Sequence, residues 1–337
     1  RVVSTGKGID LRITLSIPLE GHHSPYPITR SYPIHEQNMI DEVLINLAGY
    51  TYQQDRATYI TQDVPATAST IASPIILQLA STDNIGKGAI EINEELFWLD
   101  SFDRVSNTAT IPPYGRGYLG TDIAAHTAGT KVTITPTFPR YVIKKALNDT
   151  IAAFGSNIFA VKTTSFTFNA AQTTYAFNNL NINNIMTIMW QDIGPSQEWF
   201  PIRRWSWDSI ASSAAFGSGA QTVTIGDFVQ PGRTVKVIYA TDPVAFTSNS
   251  EDYATQTGLP NSTRDVAILG ASYRLLTYLD PARASQVSPQ ADETDSKRPF
   301  GASQTATKQL YALYTQRLNE ETARQQSQYP IRVHYSR

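Results

Sequence analysis

The chain has 337 residues, a formal net charge of -2 and no cysteine, which excludes disulfides, thiolate nucleophiles and Cys-ligated metals and leaves no global positive field for nucleic acid or an anionic membrane. Charged residues make up only 17%, while tyrosine (17) and phenylalanine (13) are plentiful, so the surface suits packing against other protein better than repelling it. No run of 18 apolar residues occurs, so no membrane partner is expected.

The length exceeds what one hydrophobic core usually holds, about 250–300 residues, and the patterning predicts a multi-domain α+β chain. Residues 1–50 form an N-terminal arm and a first helix: in "HEQNMIDEVLINLAG" (35–49), Met39, Ile40, Val43, Leu44 and Leu47 fall on one helical face that Gly49 closes. From 51 to 138, β-rich runs at 75–80, 88–92, 95–103 and 130–138 alternate with Gly, Pro, Asn and Asp, the pattern of a small antiparallel barrel or sheet. A scaffold helix follows at 139–155, with Ile143, Leu147, Ile151 and Phe154 as its stripe and Pro139 suited to its first turn.

Between 156 and 246, six runs spaced at regular intervals predict a β-sandwich. The last part, 247–337, holds two more helices. In 262–280, Ser262 and Asp265 suggest a capping box, and Val266, Leu269, Tyr273, Leu276 and Leu279 line one face. The helix at 307–328 carries Leu310, Leu313, Tyr314 and Leu318 and then turns wholly polar, so its second half is not expected in the same core. A polar loop, 281–302, separates the two, and an extended tail, 329–337, ends the chain. The economical description is a helical scaffold interrupted by two β modules.

The stretch "YGRGYLGTD" (114–122) spells G-x-G-x-x-G at Gly115, Gly117 and Gly120. A dinucleotide site needs a buried strand before it, a crossover helix after it and an acid about 20 residues on. Here Pro112 and Pro113 precede the turn, Gly129 follows within two turns, and Pro139 and Arg140 stand where the acid belongs. The plainer reading is an irregular loop between two strands, secured locally by Thr121, Asp122 and His126. His22 and His23 are adjacent and have no further ligand at helical spacing, and Glu91, Glu94, Glu95 and Asp100 have no spacing that fixes an acid and base pair. No catalytic group, cofactor or metal is therefore assigned.

Two stretches point to binding. In "WFPIRRWSWD" (199–208), alternation puts Trp205 and Trp207 on one strand face near Trp199; that face is either sandwich core or, if exposed, a carbohydrate platform. At the C-terminus Tyr329 and Pro330 lead into Ile331, Val333 and Tyr335, which alternate with Arg332, His334 and Ser336 before Arg337. Such an extended end either frays or adds itself to a sheet edge or groove of another subunit.

The run 97–134, with "GRGYLGT" and "AAH" between an aromatic strand and a final β run, resembles structural proteins of tailed-phage virions. So do "DVAILGASYRLLTYLD" (265–280) and the end of the chain from 310. The resemblance to head-to-tail adaptor, or neck, proteins implies a non-enzymatic homo-oligomeric ring, twelve-fold by family analogy. It implies as partners the portal protein and head-completion or tail proteins, and non-specific contact with passing DNA. It also implies assembly in the host cytoplasm and residence at the head-tail junction of the virion, with the C-terminal tail docked on a neighbouring subunit or the portal. The large β module departs from that pattern, and the alternative is a tail-tip or baseplate protein whose sandwich binds host-surface carbohydrate.

Overall fold

A computed structural model describes residues 35–49, 55–67, 71–155, 157–178, 180–192, 197–248, 250–277 and 302–329. All of them lie in one compact unit, Ile34–Arg337. The protein mixes helices with several antiparallel sheets and is α+β, with segments far apart in sequence building a common helical core.

The first helix, α1 (Glu36–Ala48), buries Met39, Ile40, Val43 and Leu47, the face its periodicity predicts. Strands β1 (Arg56–Tyr59), β2 (Ile75–Gln78), β3 (Gly88–Ile92), β4 (Glu95–Leu99), β5 (Ser101–Asp103), β6 (Thr108–Ile111) and β7 (Lys131–Ile134) follow. They form two antiparallel sheets, ordered β1-β7-β3-β4 and β2-β6-β5. The predicted run 95–103 is two strands, because Asp100 turns the chain from one sheet to the other while its N–H bonds Thr110 O. The sheets enclose one core of Ile60, Leu77, Ile90, Ile92, Phe97, Leu99, Val132 and their neighbours. An isolated bridge, Ile60 with Leu79, links them. Of the two expected architectures, barrel or sheet, the chain takes the open one: no barrel closes.

Helix α2 (Arg140–Ala153) leads into the second β module: β8 (Ala160–Thr167), β9 (Thr174–Asn178), β10 (Asn184–Gln191), β11 (Trp199–Pro201), β12 (Trp205–Asp208), the single-turn α3 (Ser213–Phe216), β13 (Ala220–Ile225) and β14 (Thr234–Thr241). Two sheets, β11-β10-β14-β8 and β12-β13-β9, face each other across Phe177, Ile188, Val223, Val235, Val237 and Tyr239. The expectation of six strands becomes seven, because "WFPIRRWSWD" divides between the sheets. Ile202 is buried at the break, and the Arg203 and Arg204 N–H groups donate to Asp227 at 2.6 and 3.0 Å instead of to a neighbouring strand.

The short α4 (Tyr253–Thr257), α5 (Arg264–Thr277) and α6 (Ala302–Gln328) complete the unit. Helix α5 packs against α1, α2 and α6, so its burial extends beyond the predicted stripe to Ala267, Ile268, Ala271 and Leu275. Ser262 does not cap it; its hydroxyl donates instead to Glu321 of α6 at 2.9 Å. Helix α6 begins earlier than its apolar pattern suggests. Its first half contributes Leu310 and Tyr314 to the core. The polar second half is not free of the unit either, because Glu321 and Gln325 are buried through hydrogen bonds rather than apolar contact.

Candidate functional site

The glycine stretch is held by a charged cluster inside the first β module. Glu95 opens β4 and projects inward with its carboxylate fully buried. Arg116 donates to both of its oxygens, from Nε at 2.8 Å and Nη2 at 2.7 Å, the bidentate geometry of a strong charge-assisted pair. The N–H groups of Ala124 (3.0 Å) and Gly117 (3.3 Å) add to it, and His126 Nε2 lies at 2.9 Å. His126 Nδ1 lies 3.2 Å from the Asn93 amide nitrogen, which can only donate. The His126 hydrogen therefore sits on Nε2 and points at Glu95. Burial opposes charge on Glu95, but the bonds from Arg116, His126 and Ala124 outweigh it and hold the carboxyl at about 2.

Arg116 also donates to Pro65 O and Ala124 O, both at 2.6 Å, and lies over the Phe97 ring. One guanidinium thus ties the loop to β4 and to the segment after β1. The three glycines serve this packing. A Cβ on Gly115 would lie 2.8 Å from Ile111, and one on Gly117, at φ 61°, 2.9 Å from Thr121 O. Gly120 takes φ 81° in the short 3-10 helix Tyr118–Gly120. Thr121 accepts the Leu96 N–H at 3.0 Å, so Thr121 and His126 secure the loop as expected. Among the described residues the Asp122 side chain makes no hydrogen bond or ion pair, contrary to expectation, and the loop's chief anchor, Arg116 with Glu95, was not anticipated. Above this anchor Tyr114 and Leu119 hold left-handed backbone (φ 59° and 58°) and stand exposed, beside the ring pair Trp98 and Tyr118. A loop pinned from below with apolar groups outward is preorganised for contact.

A second polar cluster joins this module to the helices. Glu91 of β3 accepts the Arg140 N–H at 2.6 Å and so caps α2, whose own N-cap, Pro139, supplies no side-chain bond. Lys144 of α2 lies 3.6 Å from Glu36 and 3.7 Å from Glu94, ion pairs longer than hydrogen bonds. Glu36 is completely buried, and neither of its oxygens has a hydrogen-bond partner. Burial raises its carboxyl to about 7 against the attraction of Lys144. Burial does the same to Glu91, against the Arg140 bond. The four carboxylates considered as an acid and base pair are therefore distributed over three places: Glu91 and Glu94 at the junction, Glu95 in the anchor, and Asp100 in an exposed 2.6 Å bridge to Lys87.

Trp205 and Trp207 share a face of β12, opposite Ile225 and Val223, and pack partly buried against the sandwich core. Trp199 belongs to the other sheet, at its β11 edge; it is exposed, with Lys236 Nζ 5.2 Å from its ring centroid. The three tryptophans do not share a sheet. Tyr329 is half exposed at the end of α6. Ile331, Arg332, Val333, His334, Tyr335 and Arg337, the loop 281–301, and His22 and His23 lie outside the described residues.

Among the described residues no cluster of three or more His, Asp or Glu could hold a metal, and no helix is long and apolar enough to cross a membrane. Sequence reading missed Arg116, whose only signal was an arginine between two glycines, and Gln325, hidden in a wholly polar stretch. No protein-family model matches the chain, and no curated protein matches it.

Proposed function

We propose that the protein is a non-enzymatic structural component of a tailed-phage virion, a ring-forming adaptor that joins portal to tail. The observation that carries this reading is the anchored loop. The run 97–134, whose resemblance to virion proteins motivates the proposal, presents Tyr114 and Leu119 outward on an anchor of Glu95, Arg116 and His126. Further support comes from a helical core with two β modules carried on it and from the low charge of the chain. Copies of the chain would assemble through these surfaces, with residues 329–337 docking on a neighbouring subunit or the portal. Deleting 329–337 is expected to leave the unfolding temperature within a few degrees of the full chain and to abolish incorporation into particles. Normal incorporation of the shortened chain would defeat the docking role.

The carbohydrate-binding alternative has one observation in its favour, the exposed Trp199 with Lys236 beside it. A single ring is a weaker platform than the paired Trp205 and Trp207 near Trp199 that the sequence suggested.

A further inference from the structure

Strand β8 is the longest edge strand of either β module, eight residues against three for β11 and β5, four for β12 and five for β9. The edge of β4 in the first module is covered by the glycine loop, through Trp98 N–H to Gly115 O at 2.7 Å and Leu96 N–H to Thr121. Among the described residues nothing comparable covers β8. Its inner side pairs with β14 in unbroken register from Ala160 to Thr167.

The direction of each backbone group on β8 follows from its end. Phe168 N–H donates to Arg233 O and Phe168 O accepts from Gly232 N–H, both at 2.8 Å, so residue 168 points toward the β14 side. Alternation then turns residues 160, 162, 164 and 166 inward and Val161, Thr163, Ser165 and Thr167 outward. The same parity puts Phe159 outward, and there the structure supplies an independent check. Gln325 of α6 donates from Nε2 to Phe159 O at 2.6 Å and accepts the Phe159 N–H at Oε1 at 3.1 Å. One side-chain amide imitates a paired strand residue at the first outward position and stops there. Among the described residues nothing bonds the outward N–H and C=O groups of the next four. Thr163, Ser165 and Thr167 are exposed, and the strand has no proline, no bulge and a single lysine, Lys162, to discourage pairing.

We infer that this edge is the acceptor for residues 330–337 of a neighbouring copy of the chain, added as a further strand beside β8. The inference rests on the reading of the protein as self-assembling. Residues 330–337 number eight, and eight residues of strand span about 26 Å, the length of β8. Ile331, Val333 and Tyr335 alternate with polar residues, as an added strand requires. The Gln325 clamp holds the end of α6 at the head of the open edge, so donor and acceptor occupy the same corner of every copy. Pro330 biases the preceding residue toward extended backbone, and no glycine, asparagine or aspartate follows to turn the segment back onto its own strand. The inference commits to the next molecule's segment as the occupant.

Hydrogen exchange on the assembled full-length protein tests this, with the amides of Val161, Thr163, Ser165 and Thr167 as the readout. Slow exchange at all four, at least tenfold faster after deletion of 330–337, is expected. Thr163→Pro removes an outward N–H that the β14 ladder does not use, so this variant is expected to keep its circular dichroism and lose assembly as the deletion does. The chain lacks cysteine, so Thr163→Cys in one tagged copy and Val333→Cys in another, joined by a short bis-maleimide, report whose segment is seated. Cross-links between differently tagged copies are expected. Cross-links confined to a double-cysteine single chain, or an oligomer whose four amides exchange freely, would overturn this seat and leave the ring reading intact. A chain that stays monomeric at every concentration would remove both.

Discussion

At Glu36 a carboxylate sits wholly buried, without a hydrogen bond to either oxygen and with Lys144 at 3.6 Å, so desolvation prevails and it keeps its proton up to about 7. The other charges facing it, Glu94 and Glu251, push the same way. Glu91 behaves alike, with Arg140, Asp55 and Glu94 around it. A folded-state value above the ordinary 4.5 means that the folded chain binds the proton more tightly. Stability from these two groups is complete below 4.5 and is lost as pH rises toward 7. Glu95, held at about 2, has the opposite sign: its contribution is present above 4.5 and is lost as pH falls through 2. The expected outcome is a thermal unfolding temperature that declines from pH 5 to pH 8. Glu36→Gln should flatten that decline, adding about 1–3 kcal/mol at pH 8 and almost nothing at pH 5. A gain of equal size at both pH values would contradict a buried carboxylate that lacks hydrogen bonds.

At the scale of elements, α5 is the helix on which the core closes. Its Gly270 faces both α2 and α6. A Cβ there would lie 2.2 Å from Thr150 Cγ2 and 3.0 Å from Tyr314 Cε2. Thr150 cannot swing away freely, because its hydroxyl is committed to Ala146 O at 2.7 Å. Gly270→Ala should therefore destabilise the protein by about 1–3 kcal/mol from overpacking, although alanine favours the helix by about 1 kcal/mol. Adding Thr150→Ser, which deletes Cγ2 and keeps the hydroxyl, should recover most of the loss in denaturant unfolding. Equal loss in the double variant would show that the close approach is not the cause.

How far each element could be read in advance follows from the interactions that make it. The stripes of α1 and α2 and most sandwich strands were legible, because apolar burial leaves a period in the sequence. Central burial of α5 was not, since small residues such as Ala267, Ala271 and Ser272 carry little apolar signal while allowing helices to approach. The hold on the second half of α6 was invisible for a related reason: Glu321 and Gln325 are buried by specific bonds to Ser262 and Phe159, which no periodicity encodes. The Glu95 and Arg116 pair lies 21 residues apart on a strand and a loop, and only the fold makes them neighbours.

For the whole molecule, α1, α2, α5 and α6 form one core on which both β modules hang, and the two modules differ in how their edges are finished. The first covers its β4 edge with the anchored loop. Among the described residues the second leaves β8 open beside the end of α6. An anchored loop with exposed apolar groups and an open strand edge are the two features from which the proposed architecture would be assembled. The most direct measurement is the mass and symmetry of the purified full-length protein, by native mass spectrometry and particle imaging. A closed ring of identical copies is predicted, and a single species of 37.2 kDa that persists at high concentration would contradict it.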